Sequence, residues 1–242
     1  VKPAQSPPAP VAALAAALGH EFDRPELLVE ALTHPSALPQ ARGRARHRDG
    51  PQRSYERLEF LGDRVLGLVV ADLLWRRFAD EPEGDLTRRH THLVRREALA
   101  RVALSIGLGT YLILSPAEAL AGAADNPAIL ADVCEAVIAA IFLDGGFDKA
   151  AEFVRRRWQP LVETMTEPPR DPKTSLQEWA QARGLALPSY MLVETSGPDH
   201  APRFTVAAKV AGFEPAAATA SSKRQAEAQA AAMLLEALAA AG

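Results

Sequence analysis

Cysteine is almost absent from this chain of 242 residues: Cys134 stands alone. An internal disulfide framework is therefore excluded, and a reducing compartment, the cytoplasm, is the expected setting. Aromatic residues are scarce, at 6%, while alanine supplies much of the 48% hydrophobic content. Small unbranched side chains at such frequency favour helix over sheet. No uninterrupted apolar run reaches the ~18 residues of a membrane-spanning helix. The apolar stretch Ala12–Leu18 lacks the basic leader of a secretory signal. No Cys or His pair has the spacing of a zinc site. With 27 basic against 30 acidic residues the net charge is −3. The long-range field thus gives no general attraction to nucleic acid, and any such binding falls to local patches.

What is present divides into two grammars. Residues 1–10, with Pro3, Pro7, Pro8 and Pro10, read as a disordered leader, and ordered sequence is expected from near Val11. Asp23-Arg24-Pro25-Glu26 looks like a helix start with Asp23 as cap. The loop Gln40–Arg53 carries Arg42, Arg44, Arg46, Arg48 and Arg53 against Asp49. It reads either as a solvated segment or as an arm that grasps phosphate. From Tyr55 to Phe78 the pattern is helical and apolar nearly all round, as in the middle of a bundle. Pro82 and Gly84 break it. Further helical patterns span Leu86–Ile106, Asn126–Asp144 and Phe147–Val162, with Gly145-Gly146 as a stop. Together, residues 11–165 predict an all-α domain.

Thr166-Glu-Pro-Pro-Arg-Asp-Pro172 is a linker. Beyond it, residues 173–242 predict a small α+β domain of order α-β-β-β-α. Its helices are Thr174–Arg183 and Ser222–Ala240, and its strands are Tyr190–Thr195, Arg203–Val210 and Phe213–Ala220. A turn at Gly197–His200 joins the first two strands. Basic and acidic residues balance in this module, but Lys223 and Arg224 lie in the first turn after the Ser222 cap. Cations are unfavourable at that end of a helix, and an anionic ligand such as phosphate would reverse the cost.

The chemistry resides in acids that interrupt greasy helices. Glu56, Glu59 and Asp63 are spaced i, i+3 and i+7, and Asp132 and Glu135 are spaced i, i+3; each set shares one helix face. Burying unpaired carboxylates is costly, so several on one face call for a cation. If the two helices pack side by side, Glu59, Asp63, Asp132 and Glu135 converge. Hard oxygen donors of this kind suit Mg²⁺ or Mn²⁺, and such ions activate water for phosphoryl chemistry. For any single pair of these acids the ordinary alternative is an ion pair between or along helices.

At this point the residues resemble a family. Glu56-Arg-Leu-Glu59-Phe-Leu-Gly-Asp63 is similar to the signature of ribonuclease III. Ala31-Leu-Thr-His34-Pro-Ser36 upstream, and Glu83-Gly84-Asp85 and the Asp132/Glu135 segment downstream, stand in the order expected of it, and the likeness covers about residues 11–240. The resemblance implies a dimeric helical endonuclease domain followed by a double-stranded-RNA-binding domain. It implies that Glu59, Asp63, Asp132 and Glu135 are the metal-binding and catalytic carboxylates. Glu56 and Glu83 would help to engage RNA, and Phe60 would insert into the partner subunit. The implied products carry 5′-phosphate and 3′-hydroxyl ends with short 3′ overhangs, and the implied substrates are rRNA precursors and structured mRNA. In the second domain, Thr174, Gln177 and Glu178 resemble first-helix contacts. His200 resembles part of a minor-groove loop, and Ser222, Lys223 and Arg224 the start of the closing helix. Such modules read the shape of A-form duplexes. Four features depart from the pattern. Gly122-Ala-Ala-Asp125-Asn126 lacks the Gly-Gly-Arg stretch often seen before the second acidic helix. Arg64 stands where Ser or Ala is common and can pair with Asp63. Gln225 stands where a further basic residue often helps, and the Arg-rich loop is long.

Other chemistry-bearing residues read as structural. His34 sits near a helix end, His90 and His92 cannot share a face, and Cys134 reads as a buried, inert thiol. Trp75, Trp158 and Trp179 read as packing residues. Arg88, Arg89, Arg95 and Arg96 line an RNA groove or a solvated face. The rivals to the nuclease are a duplex-binding protein that does not cleave and a nucleotide phosphohydrolase. The hydrolytic reading requires the four carboxylates to meet; splayed or neutralised by arginines, they leave a passive duplex holder.

Overall fold

A computed structural model describes residues 9–38, 53–198 and 202–240. The chain forms two compact units that divide between Pro168 and Pro169. Most of the Arg-rich loop and His200 lie outside the described residues.

The first unit is helical. Its helices are α1 (Ala9–Leu18), α2 (Pro25–Leu32), α3 (Glu56–Arg77), α4 (Glu83–Leu93), α5 (Arg96–Ser105), α6 (Pro116–Leu120) and α7 (Pro127–Glu163), with short 3₁₀ turns at Pro35–Ala37, Leu108–Tyr111 and Ala123–Asp125. Outside the second unit the only strand-like pairing among the described residues is a bridge between Thr33 and Ile113. The core lies between α3 and α7. Leu58, Val65, Leu66, Val69, Val70 and Leu74 of α3 are buried with Leu130, Val133, Val137, Ile138 and Ile141 of α7. Every residue from Ala136 to Ile141 is buried, which makes α7 the centre of the bundle.

Four boundaries differ from the sequence pattern, each for a local reason. Ala9 and Pro10, read as leader, open α1; proline is tolerated in a first helical turn. Asp23 does not cap α2, whose N-cap is Arg24 with no side-chain bond. Asp144 of α7 caps it from outside, accepting from the backbone N–H of Asp23 at 3.2 Å and of Arg24 at 2.9 Å and bonding His20 Nε2 at 2.8 Å. The pattern spanning Leu86–Ile106 is two helices, because Val94 and Arg95 leave helical geometry between α4 and α5. At Gly145-Gly146 the turns abut instead of ending: α7 runs on across a kink at Gly146, where φ is +81°. Only glycine adopts that conformation freely.

Trp158 is buried and its indole N–H donates to the Leu93 carbonyl at 2.9 Å, so a packing role holds there. Trp75 is different: it lies on the surface of α3, 72% exposed. Arg89 belongs to neither a groove nor a solvated face, because its side chain is wholly buried.

The second unit packs α8 (Pro172–Gln181) and α9 (Lys223–Ala240) against a three-stranded antiparallel sheet of order β1 (Ser189–Ser196), β2 (Arg203–Lys209), β3 (Ala216–Ala220). A bulge interrupts β1 between Leu192 and Glu194. Alternation places Val206 and Ala208 of β2 inward, where the core also holds Leu176, Ala180, Ala226, Ala230, Leu234 and Leu238. Asp171 caps α8 by accepting from the N–H groups of Lys173 and Thr174 at 2.9 and 3.1 Å. Lys173 in turn forms an ion pair with Glu227 of α9.

Candidate active site

The site is made where α3 and α7 touch backbone to backbone. A Cβ added at Gly62 would collide with the carbonyl of Glu135, so only glycine lets the helices approach this closely. That contact sets the α3 acids beside those of α7. Glu59, Asp132 and Glu135 are each half-buried and lie within electrostatic reach of one another.

Their proton affinities report the crowding. Burial raises the pKa of Glu135 to about 7, and the neighbouring charges of Glu59 and Asp132 push the same way, while Arg64 opposes them. Burial also raises Glu59, helped by Asp132 and Glu56. Asp132 rises through burial, moderated by Arg96 and His34. An anionic cluster with raised proton affinity is a site that gains from a cation.

Asp63 is not part of that convergence. Its carboxylate bonds the Arg64 guanidinium, which also stacks over the Phe60 ring at 4.8 Å. Both members of the pair are open to solvent, Arg64 at 61% and Asp63 at 41%. An exposed pair contributes little, about 0–1 kcal/mol, and exchanges readily. No three His, Cys, Asp or Glu side chains among the described residues form a metal-holding group, Glu59, Asp132 and Glu135 included. The donor set nevertheless fits a hard divalent ion in its chemistry, because it consists of carboxylate oxygens alone.

Glu56 and Glu83 stand at the first turns of α3 and α4, exposed, accepting from the hydroxyls of Ser54 and Thr87 at 2.8 Å each. Two residues escaped the sequence reading. Tyr55 precedes α3 as its N-cap without making a side-chain cap bond. Its phenol is pushed up to about 12 by burial and by the charges of Asp132, Glu59 and Glu56. A tyrosine where Ser, Asp or Asn would cap better was the available signal. His34, read as structural, does bind locally: its Nδ1 accepts from the Ser36 N–H at 3.1 Å. It also lies edge-on to Tyr55 at 5.8 Å and near enough to Asp132 to act on it.

In the second unit, Thr174, Gln177 and Glu178 are exposed on α8, and their i, i+3, i+4 spacing puts them on one face. Ser222 Oγ accepts from the Gln225 N–H at 3.3 Å. Lys223 and Arg224 are exposed in the first turn of α9.

Residues 24–161 match the family described as Ribonuclease-III-like, and residues 172–238 match the double-stranded RNA binding motif. The chain belongs to the ribonuclease III family. It is 53% identical to the Ribonuclease 3 of Azorhizobium caulinodans, over 93% of this chain and 92% of that protein. To the Ribonuclease 3 of Methylocella silvestris it is 48% identical, over 93% and 91%. Among solved structures, the nuclease domain of Ribonuclease III from Campylobacter jejuni is similar, with a TM-score of 0.56 and 36% identity; the match covers 64% of this chain and 97% of that one. A second structure of that domain, described for flexibility in a region involved in its dimer formation, has a TM-score of 0.55 and 37% identity over 62% and 96%. As a ribonuclease III with an RNA-binding module, this protein is a metal-dependent endoribonuclease acting on double-stranded RNA. Among the described residues, no helix is long and apolar enough to cross a membrane.

Proposed function

We propose that Glu59, Asp63, Asp132 and Glu135 hold Mg²⁺, with Mn²⁺ able to substitute, and that the protein is a cytoplasmic homodimer. The observation that carries this reading is the Gly62–Glu135 backbone contact, which crowds Glu59, Asp132 and Glu135 into one anionic cluster. A bound divalent ion supplies this site with an activated water and with charge neutralisation at the leaving oxygen of the phosphodiester. The chain's own residues do the rest. Glu59, Asp132 and Glu135 hold negative charge at one point, and Asp63 joins them by releasing Arg64. Glu56 and Glu83 face the RNA beside them. Hydrolysis leaves a 5′-phosphate and a 3′-hydroxyl, and two sites in a dimer, each cutting one strand, give short 3′ overhangs. rRNA precursors and structured mRNA are the natural substrates that fit this activity.

The dimer reading is supported by α3. Phe60, Leu68 and Trp75 are 65%, 60% and 72% exposed, and their spacing puts them on one side of the helix. A run of large apolar side chains in water marks an interaction surface. In the second unit, Thr174, Gln177, Glu178, His200, Ser222, Lys223 and Arg224 contact the duplex.

The test is incubation of long duplex RNA, single-stranded RNA and nucleotides with Mg²⁺ or with EDTA. Mg²⁺-dependent cleavage confined to the duplex is expected, falling by orders of magnitude in Glu135→Gln while duplex binding survives. Binding without cleavage would leave a passive duplex holder, and nucleotide turnover alone would indicate a phosphohydrolase.

A further inference from the structure

The segment that leaves α2, Thr33-His34-Pro35-Ser36, sets a histidine beside the carboxylate cluster. Its backbone is pinned from two sides. The Thr33 carbonyl accepts from the Tyr55 N–H at 3.0 Å, and the His34 N–H donates to the Ile113 carbonyl at 3.0 Å. Tyr55 is the N-cap of α3, one residue before Glu56. Its ring meets the His34 ring edge-on, with centroids 5.8 Å apart. The imidazole is half-buried and lies within electrostatic reach of Asp132.

The hydrogen bonds of this ring fix where its proton sits. A backbone N–H can only donate, and that of Ser36 lies 3.1 Å from Nδ1, so Nδ1 is an acceptor. The Ser36 hydroxyl agrees. It lies 2.8 Å from the same nitrogen and accepts from the Ser115 N–H at 3.2 Å, which leaves its own hydrogen for Nδ1. The ring bonded in this way is neutral and carries its hydrogen on Nε2. Among the described residues both side-chain bonds of His34 fall on Nδ1, so Nε2–H has no acceptor there. A neutral donor suits this place better than a cation. A positive side chain beside these acids pairs with them, as Arg64 does with Asp63, and competes with a divalent ion for the same oxygens. An imidazole N–H adds no net charge and still makes a strong bond to an anionic phosphate oxygen.

We propose that His34 is a substrate-contacting residue, its Nε2–H donating to a non-bridging oxygen of the RNA phosphate that the carboxylate site cleaves. Ser36, itself held by Ser115, is the positioning residue that keeps the ring in this tautomer and orientation. The proposal rests on the reading of Glu59, Asp63, Asp132 and Glu135 as the metal site.

The experiment uses the full chain, a long duplex RNA and saturating Mg²⁺. His34→Gln returns an amide N–H near the place of Nε2, His34→Asn reaches only as far as Nδ1, and His34→Ala has no donor. In the Ala and Asn variants kcat should fall about 10–100-fold with KM within about threefold, the mark of a contact that strengthens in the transition state. His34→Gln should return to within about fivefold of the parent, and Ser36→Ala should lie between Gln and Ala. A second readout needs no turnover: in the metal-free parent, ¹H–¹⁵N correlations of the imidazole at about pH 8 should show Nε2 protonated and Nδ1 bare. A residue that only holds the fold would lower the melting temperature without distinguishing Gln from Asn. A folded His34→Ala variant with the parental kcat overturns the proposal, and so does a proton found on Nδ1. Recovery of the Ala variant in raised Mg²⁺ would place the imidazole on Asp132 and overturn the phosphate contact. If His34→Ala does not fold, the Gln and Asn variants decide, and equal loss in the two overturns it. A parent that does not cut the duplex, or Glu135→Gln cutting as fast as the parent, would sink the metal-site reading instead, a result distinct from all of these.

Discussion

In metal-free buffer, raising the pH from 4.5 to 8 should destabilise the nuclease unit through Glu135. The carboxyl moves from an ordinary value of 4.5 in the unfolded chain to about 7 in the folded one, chiefly by burial and then by Glu59 and Asp132. Folding therefore favours the protonated form. Its contribution to stability is complete below pH 4.5 and is lost as pH rises through 7. Taken at face value the difference is worth about 3 kcal/mol. Water still reaches part of this side chain, so about 1–2 kcal/mol is the sounder figure. Glutamine has the shape of the protonated acid and no charge, so Glu135→Gln should match the parent at pH 4.5. At pH 8 in EDTA it should exceed the parent by about 3–6 °C in the transition of the nuclease unit, given that 1 kcal/mol moves a unit of this size by about 2–4 °C. Scanning calorimetry of both proteins across that range makes the comparison, because titrating groups that do not interact with Glu135 cancel in the difference. Added Mg²⁺ should then raise the parent more than the variant, since a ligand stabilises the state that binds it. Parallel melting curves for the two proteins from pH 4.5 to 8 would refute the idea that Glu135 sits in a repulsive cluster.

Gly62→Ala drives a methyl group into the Glu135 carbonyl. It should cost about 3 kcal/mol or more by denaturant titration and abolish cleavage with it; a folded, active variant would show that the helices need not touch. Phe60→Ala removes an exposed ring, so the melting temperature of the isolated subunit should barely change while sedimentation velocity shifts towards monomer. An unchanged dimer would move the interface elsewhere. Replacing Lys223 and Arg224 by Ala should make duplex binding less sensitive to salt, the slope falling by about 0.7–0.9 for each phosphate no longer neutralised. An unaltered slope would remove the start of α9 from the RNA.

Much of the fold was legible because its signals are local. The apolar periodicity of α3 needed no tertiary information, and neither did the alternation of β2 or the Ser222 start of α9. The boundaries that moved were settled by groups distant in sequence. α2 is capped by Asp144, a residue that no local pattern at Asp23 could supply. The break between α4 and α5 falls where Trp158 takes the Leu93 carbonyl, a bond invisible to a helical pattern that ran straight through it. Trp75 was misread for a related reason. Composition makes tryptophan a packing residue, but what it packs against can be another molecule, and periodicity alone cannot choose the inner face of a helix that is apolar nearly all round.

The carboxylates show the same division. Their spacing fixed which of them share a helix face, and the helix contact at Gly62 turned two faces into one cluster. Spacing could not fix side-chain direction. Asp63 lies on the correct face, yet it bonds the adjacent Arg64, which the neighbouring ring of Phe60 helps to hold. This arrangement does not neutralise the cluster, for three reasons. The arginine that pairs with Asp63 is exposed, and an exposed pair is worth at most about 1 kcal/mol. Glu135 keeps its raised proton affinity despite Arg64, and Glu59 and Asp132 are raised as well. On the proposed reading, a divalent ion held by the other carboxylates, with twice the charge and no side-chain entropy to lose, would compete with one guanidinium for Asp63. The proposed metal site therefore starts from three mutually repelling acids that do not yet form a metal-holding group, and on that proposal Asp63 has to be recruited by displacing Arg64.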